Sequence, residues 1–417
     1  MNHCIKTMRK ITKSANYPVK HQLSQAGFSF EVYSSVSDLP LDWEKAIFEQ
    51  NVFLQRPYLT AVENAPPFGL EFNYLIIYKD LNPIGRAVFQ ITKFDASSSV
   101  QDLHHDPSRH SIWWRIGQYF KKIIARWAKF NLLVCGNSLL TGEHGFDYDK
   151  SIIDRISWIK IIEESSVLIS QYLGETGLKI DGIFIKDLEG DKSIDGATLE
   201  KLKFHEFVFH PSMVMDISWD NFDEYLAAIS SKYRVRAKRA FKKAKAIERI
   251  ELTSENFESL NPAIYQLYQN VANQASFNMV SLGEDYFYEL KRQLGDQFRI
   301  FGYYQEGELV GFYTTIDNDH EIEAHFLGMN GPVNRKTQLY LNMLFDMIRQ
   351  SIDSGKNKLV LARTAMEIKS SVGAVPEEMF GYIRANRSWI NYLMPKVLEL
   401  LRPKDDWLPR RPFKDPK

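Results

Sequence analysis

Cysteine is nearly absent from this chain: Cys4 and Cys135 are the only two among 417 residues. Cys4 lies in a polar, basic stretch and Cys135 in an apolar run. A structural disulfide between them is not expected, and two thiols alone cannot build a cysteine zinc site. An excess of either charge is missing as well. Lys+Arg and Asp+Glu both total 52, so no global field points to nucleic acid or a membrane, and an electrostatic partner must be sought in local clusters. The first residues, MNHCIKTMRKITKSANYPVK, are basic but contain no apolar signal core. No run approaches the roughly 18 apolar residues of a spanning helix. The expectation is a cytoplasmic protein, attached at most to the inner face of a membrane.

What is present is core-forming material: 44% hydrophobic and 13% aromatic residues. The length suggests two or three domains. A weak internal repeat organises them. Glu71–Phe94 and Phe298–Asp317 each read as an aromatic-rich strand, a polar turn, then a glycine (Gly85, Gly311) opening a second alternating strand. Each hairpin is followed by a strand (Asn131–Asn137, Ile322–Asn330). An amphipathic helix comes next (Ser151–Leu173, Lys336–Gly355), then another strand (Lys179–Leu188, Lys356–Ala362). A helix joining two strands is a crossover, so each sheet should be partly parallel. The predicted fold class is mixed α/β (α+β), with a mixed sheet flanked by helices in each of two tandem units. The expected boundaries are a flexible tail over 1–29, a first domain over 30–215 with an insertion at 95–130, a second over 216–400, and a tail over 401–417.

Two segments stand apart. Ser230–Arg249 holds nine basic residues and one acidic one in a helical pattern. Like charges at i,i+4 repel, so acids elsewhere or a phosphorylated ligand should offset them; a solvated face is the alternative. In Ser111–Phe130, Ile112, Ile116, Tyr119, Ile123 and Trp127 recur at helical spacing opposite Arg115, Lys122, Arg126 and Lys129. That pattern suits an anionic membrane surface or a helix packed on its own domain. His104, His105, Asp106 and His110 sit in a polar loop, and no metal is expected there.

The hairpin with EGELVGFYTT, the strand with HFLGMN, the long helix, the strand KLVLAR and the tail AMEIKSSVGA together resemble the GNAT-type acyltransferase superfamily. More narrowly they resemble its Fem-type and cellulose-biosynthesis-like branch, whose members often carry two GNAT-like domains. The basic SSKYRVRAKRAFKKA is similar to the branch's Ser-Lys-x-x-Arg helix, and Lys369-Ser-Ser-Val-Gly373 to its Lys-x-x-x-Gly element. The likeness covers most of Phe222–Arg384 and rests over 30–215 mainly on the repeat. It implies transfer of an acyl or aminoacyl group to an amine of a cell-envelope, lipid or sugar precursor. The alternative is an inactive GNAT-like protein that binds an anionic ligand or membrane surface. One departure matters. Gly328–Tyr340 has Gly328 and Gly331 but lacks the dense glycines with which relatives cradle a pyrophosphate at a helix N-terminus. Acyl-CoA as co-substrate and aminoacyl-tRNA as donor both stay open.

Acyl transfer to an amine needs a proton acceptor, a donor to the carbonyl oxygen, and held reactants. Strand alternation puts Glu323 and His325 on one face, so either could be the base, and Tyr340 could return a proton. Each could equally be a satisfied core group. Lys232, Arg234, Arg236, Arg239 and Arg335 are candidates for donor or phosphate contacts. Arg363, Glu367 and Lys369, just after the last core strand, are candidates for substrate contacts, the lysine through the family likeness. An Arg363–Glu367 ion pair is the bland alternative.

Overall fold

The computed structural model describes residues 19–95, 129–189, 192–274, 280–402 and 407–414. The histidine loop, nearly all of the insertion, and residues 111–128 of the aromatic basic segment lie outside the described residues.

Two mixed sheets form the scaffold. The first runs β1 (Val19–Gln22), β2 (Phe28–Tyr33), β3 (Leu70–Lys79), β4 (Asn82–Asp95), β5 (Lys129–Cys135), β7 (Gly182–Leu188), β16 (Phe380–Ala385) and β8 (His205–Val208), with β6 (Phe146–Tyr148) beside β4. The second runs β10 (Glu248–Glu251), β11 (Phe298–Gln305), β12 (Glu308–Asn318), β13 (Glu321–Met329), β14 (Lys358–Val360), β9 (Ser212–Asp216) and β15 (Val375–Glu377). In each, one strand pair is parallel, β5 with β7 and β13 with β14, as a crossover helix requires. The two repeat hairpins share their turn. Asp80 and Leu81 have φ of 49° and 77°, Glu306 and Gly307 of 54° and 82°, the positive pair that matches the twist of flanking strands.

The boundaries differ from a simple cut near residue 215. β9 leaves the first half and pairs antiparallel with β14, while β16 leaves the second half and pairs antiparallel with β7. The halves thus exchange strands, each seated one place in from its sheet's edge. Residues 19–22 and 28–29 of the expected tail are paired strand. The expected second unit ends in a strand and a helix, α9 (Ser388–Leu401), that belong with the first sheet. Part of the expected C-terminal tail is docked. Ser230 N donates to Pro412 O at 2.7 Å, Phe413 stacks on Trp219, and Gly373 lies so close that a Cβ would stand 2.5 Å from the Phe413 ring.

Helices cover both faces. On one face of the second sheet, α3 (Ser231–Lys243) and α7 (Leu339–Asp353) share a core with Ile322 and Leu359. On the other, α4 (Ser254–Ala272) and α5 (Tyr286–Leu294) share a core with α1 (Arg56–Asn64) of the first half. That continuous core, with Trp43, Tyr58, Phe257 and Phe312 fully buried, fixes the halves against each other. In the first half α2 (Arg155–Glu175) buries Trp158 against Gly85, where any Cβ would lie 2.4 Å from the ring. The single helix expected at 336–355 is two, α6 (Gly331–Thr337) and α7, broken at Gln338 with φ of 56°.

Candidate active site

The second sheet forks. β13 pairs with β14 only from Glu321↔Lys358 to Glu323↔Val360, so Glu323 stands at the apex. Two local features drive the strands apart. On β13 the register to β12 slips between Leu327 and Ala324, leaving an extra residue at His325–Phe326. Thr314 Oγ1 holds this bulge, accepting from Phe326 N and donating to Phe326 O, both at 2.9 Å. Beyond β14, Ala362, Thr364 and Ala365 take φ of 56°, 68° and 47°, which costs roughly 1–3 kcal/mol each for non-glycine residues. Lys369, on α8 (Met366–Ser370), holds that turn by donating to Ala362 O (3.2 Å) and Arg363 O (2.6 Å).

Below the fork lies a cavity of about 560 Å³ between the halves. Glu321 and Glu323 project into it from β13, and His144 and Glu189 from the first half. Glu323 is 2% exposed. Burial, reinforced by Glu189, pushes its carboxyl up to about 8. Among the described residues no lysine or arginine pairs with it. His144 Nε2 approaches Glu323 Oε1 at 3.4 Å without forming a hydrogen bond. The Asn51 amide faces His144 Nδ1 at 3.2 Å; with that nitrogen accepting, the proton is on Nε2. Burial keeps this imidazole below its usual range and therefore neutral at pH 7. A carboxyl raised by burial in a cavity, with an imidazole beside it, can take a proton from an amine.

The other predicted catalytic residues sit elsewhere. His325 is enclosed by Tyr286, Phe298 and Phe326. Its Nε2 meets Tyr286 Oη at 3.0 Å and its Nδ1 meets Thr314 Oγ1 at 3.3 Å, and burial pushes it down to about 3. Both ring nitrogens are thus engaged at the bulge, and His325 is not among the residues that line the cavity. Tyr340 packs with the core on the opposite face of the sheet, where burial raises its hydroxyl.

Arg363, Glu367 and Lys369 are each taken by a different partner, so neither the substrate contact nor the i,i+4 pair describes them. Arg363 crosses to the first half and binds Asp187 through Nη2–Oδ1 at 2.6 Å and Nη1–Oδ2 at 3.1 Å. Burial opposes the Asp187 charge, but Lys186 and Arg363 outweigh it and hold the carboxyl below its ordinary value. Glu367 pairs with Arg410 of the docked tail. Lys369 is buried, which pushes its amine down to about 7, and it serves the turn described above.

The basic helix α3 does not line the cavity. It lies on the far face of the sheet, against α6 and α7. Arg234 turns inward to Ile229 O (3.0 Å), and Arg236 borders a recess with Glu367 and Trp407. Lys232, Arg236 and Arg239 are exposed, as are Arg335 and Lys336 on α6, and none has an acidic partner within ion-pair distance among the described residues. The helix ends beside this face are capped. Asn330 Oδ1 accepts from Val333 N (3.1 Å) and Asn334 Oδ1 from Tyr340 N (2.9 Å). Each side chain occupies one first-turn amide of its helix, a group that could otherwise bind a phosphate.

Sequence reasoning missed His144, Glu189 and Glu321. For Glu321 a signal existed, since Glu321-Ile-Glu323 places two carboxylates on one strand face. For the other two there was none, because only the packing of the halves brings them to the cavity.

No family model and no curated protein matches the chain. Solved structures do. FemX aligns at a TM-score of 0.50 with 12% identity, covering 80% of this chain and 96% of its own. A tandem GNAT protein from the clavulanic acid biosynthesis pathway aligns at 0.48 with 9% identity, covering 86% and 98%. L-PGS from Bacillus licheniformis aligns at 0.44 with 11% identity, covering 88% of this chain and 97% of its own. With two sheets of the repeated order in hand, the likeness to FemX shows that this chain shares the FemX fold.

Proposed function

We propose that the protein is an N-acyltransferase that moves an acyl or aminoacyl group from an anionic carrier to an amine held in the cavity between its halves. The observation that carries this reading is Glu323, a buried carboxyl at the apex of the fork with no lysine or arginine partner among the described residues. The second sheet separates two charge environments, an acidic cavity on one face and the unpaired basic residues of α3 and α6 on the other. The fork is where the two meet. Donor carriers fit the basic face, and its length favours aminoacyl-tRNA over acyl-CoA there. A run of 13 helical residues extends about 20 Å, suited to an extended phosphate backbone.

In this reaction Glu323 accepts the proton of the acceptor ammonium, with His144 beside the carboxylate. The freed nitrogen attacks the acyl carbon, the new C–N bond forms, and the bond to the carrier oxygen breaks with a proton returning to that oxygen. Beyond Glu323 the edge of β13 has no strand partner on the β14 side, and its backbone amides are suited to hold the carbonyl oxygen as charge develops. A binding protein without activity would leave the strand acids in a closed core, and Glu323 instead borders a cavity. Envelope, lipid and sugar precursors remain the acceptor classes that the family likeness suggests, and membrane attachment through 111–130 would bring a lipid acceptor close.

The test is Glu323→Gln, which keeps shape and removes the base. Transfer of a labelled aminoacyl group should fall by about 10²–10⁴-fold with the thermal midpoint preserved. Transfer at the wild-type rate would refute the assignment.

A further inference from the structure

We propose that the cavity between the halves is a binding site for an aliphatic di- or polyamine, one ammonium lying against Glu321 and Glu323 and a second against Glu189 on the facing wall. The proposal rests on the acyltransferase reading only for its consequence, that such an amine is the acceptor. The binding itself follows from the cavity's composition.

The lining contains eight carboxylates (residues 49, 143, 147, 189, 319, 321, 323 and 377) and only two lysines, 150 and 358. Most of these acids are engaged. Lys150 pairs with Glu49, Lys358 with Glu377, and Arg155 with Glu143. Asp147 Oδ2 accepts from Phe48 N (2.8 Å) and Glu49 N (3.1 Å), and Asp319 has His320 at 3.3 Å. Glu189 Oε1 accepts from Glu143 N and Glu321 Oε1 from the Asn318 amide, both at 3.0 Å, but Glu189, Glu321 and Glu323 have no lysine or arginine within ion-pair distance among the described residues. They stand on both walls, one on the first half and two on the second.

Burial sharpens the case for Glu323, and one side chain outside the trio, His144, also faces the cavity without a partner. Glu323 is 2% exposed and His144 6% exposed, yet His144 Nε2 has no hydrogen-bond partner and Glu323 receives no N–H donor. A buried carboxyl left in this state is costly unless paired. Burial raises all three acids; Glu189 further raises Glu323, and Glu323 raises Glu321, while a hydrogen bond from Glu321 partly offsets the rise at Glu323. An ammonium group supplies three donors and a positive charge to relieve this. The volume, about 560 Å³, falls in the range of small-ligand sites, about 300–1,000 Å³, and far exceeds a single ion. The same charge disfavours a phosphorylated acceptor inside this cavity.

The experiment uses the full chain and three probes: spermidine, its fully N-acetylated neutral form, and magnesium chloride. Thermal midpoints and calorimetric titration report binding without any acyl donor. Spermidine near a hundredfold its dissociation constant should raise the midpoint by about 3 °C or more, with release of protons from the raised carboxyls. Acetylated spermidine should not. Glu189→Gln and Glu321→Gln should each weaken spermidine at least about tenfold, as expected for one partner of a desolvated charge pair. No shift with spermidine overturns the proposal, as do an equal shift with magnesium and undiminished binding in both variants. If spermidine binds as expected but acquires no label from any donor, the site stands and the transferase reading falls.

Discussion

The two halves repeat one architecture and differ at the matching parallel strand pair. In the first half β5 and β7 stay paired from Leu132↔Gly182 to Cys135↔Ile185, and Leu133, Val134, Ile183, Phe184 and Ile185 are all buried. In the second half the pairing stops at Glu323, and the strand carries Glu321, Glu323 and His325 among its apolar residues. The same order of hairpin, strand, helix and strand thus supports a closed sheet in one copy and an open fork in the other. The difference teaches that the first half is scaffold and wall. It contributes His144 and Glu189 to a cavity whose apex belongs to the second half.

The sharpest way to break that comparison is pH. Glu323 must be deprotonated to accept a proton, so transfer should rise about tenfold per pH unit and level off near 8. Glu323→Gln should flatten that profile. A profile that falls from pH 6 to 8 would place the chemistry elsewhere. The same group has a stability signature. Its folded pKa lies above the ordinary 4.5, so the folded state holds more protons, and stability should decline as pH rises from about 4.5 to 8. Lys369 acts oppositely. With its folded value near 7 and an ordinary value of 10.5, its contribution to stability rises with pH across that interval.

Next in size is the clamp between halves. Asp187→Asn leaves Arg363 without its buried counter-charge and should lower unfolding stability by about 3–5 kcal/mol, read by denaturant titration. Adding Arg363→Met should recover part of the loss; no recovery would mean that the two residues do not act as a pair. Lys369→Met removes both donors to the strained turn after β14 and should cost about 2–3 kcal/mol. Activity lost with an unchanged midpoint would instead make Lys369 a substrate contact.

A smaller effect separates the two faces of the second sheet. Reversing Lys238 and Arg239 to glutamate should weaken binding of a tRNA donor by about tenfold at low salt and reduce its salt dependence. Spermidine binding should be untouched, because α3 lies across the sheet from the cavity. If both ligands weaken equally, the separation of charge does not hold. The smallest change is Asn334→Ala, which frees the Tyr340 amide. It should cost about 1 kcal/mol as a lost cap.

Much of the scaffold was legible because it is local. Alternation marked the two hairpins, and Gly355, with φ of 63°, closes α7 where the helix was expected to end. The positive-φ turn pairs and the crossover helices are likewise written in neighbouring residues. Gln338 was not, since its left-handed conformation depends on Asn334 reaching back to cap Tyr340. Glu323 was legible as a polar residue on a core strand, whereas its companion His325 was indistinguishable from it at that level. Their fates diverge because one meets an interdomain cavity and the other an aromatic enclosure.

By itself the sequence determined the fold class, the duplication and the basic face, since periodicity, turn chemistry and charge runs act over a few residues. Tertiary structure decided the rest. The exchange of β9 and β16, the pairing of Arg363 with Asp187, and the meeting of His144, Glu189 and Glu323 all join residues that are far apart in the chain. Their energies come from burial and from charges brought close in a low-dielectric interior, and neither exists until the two halves are packed together.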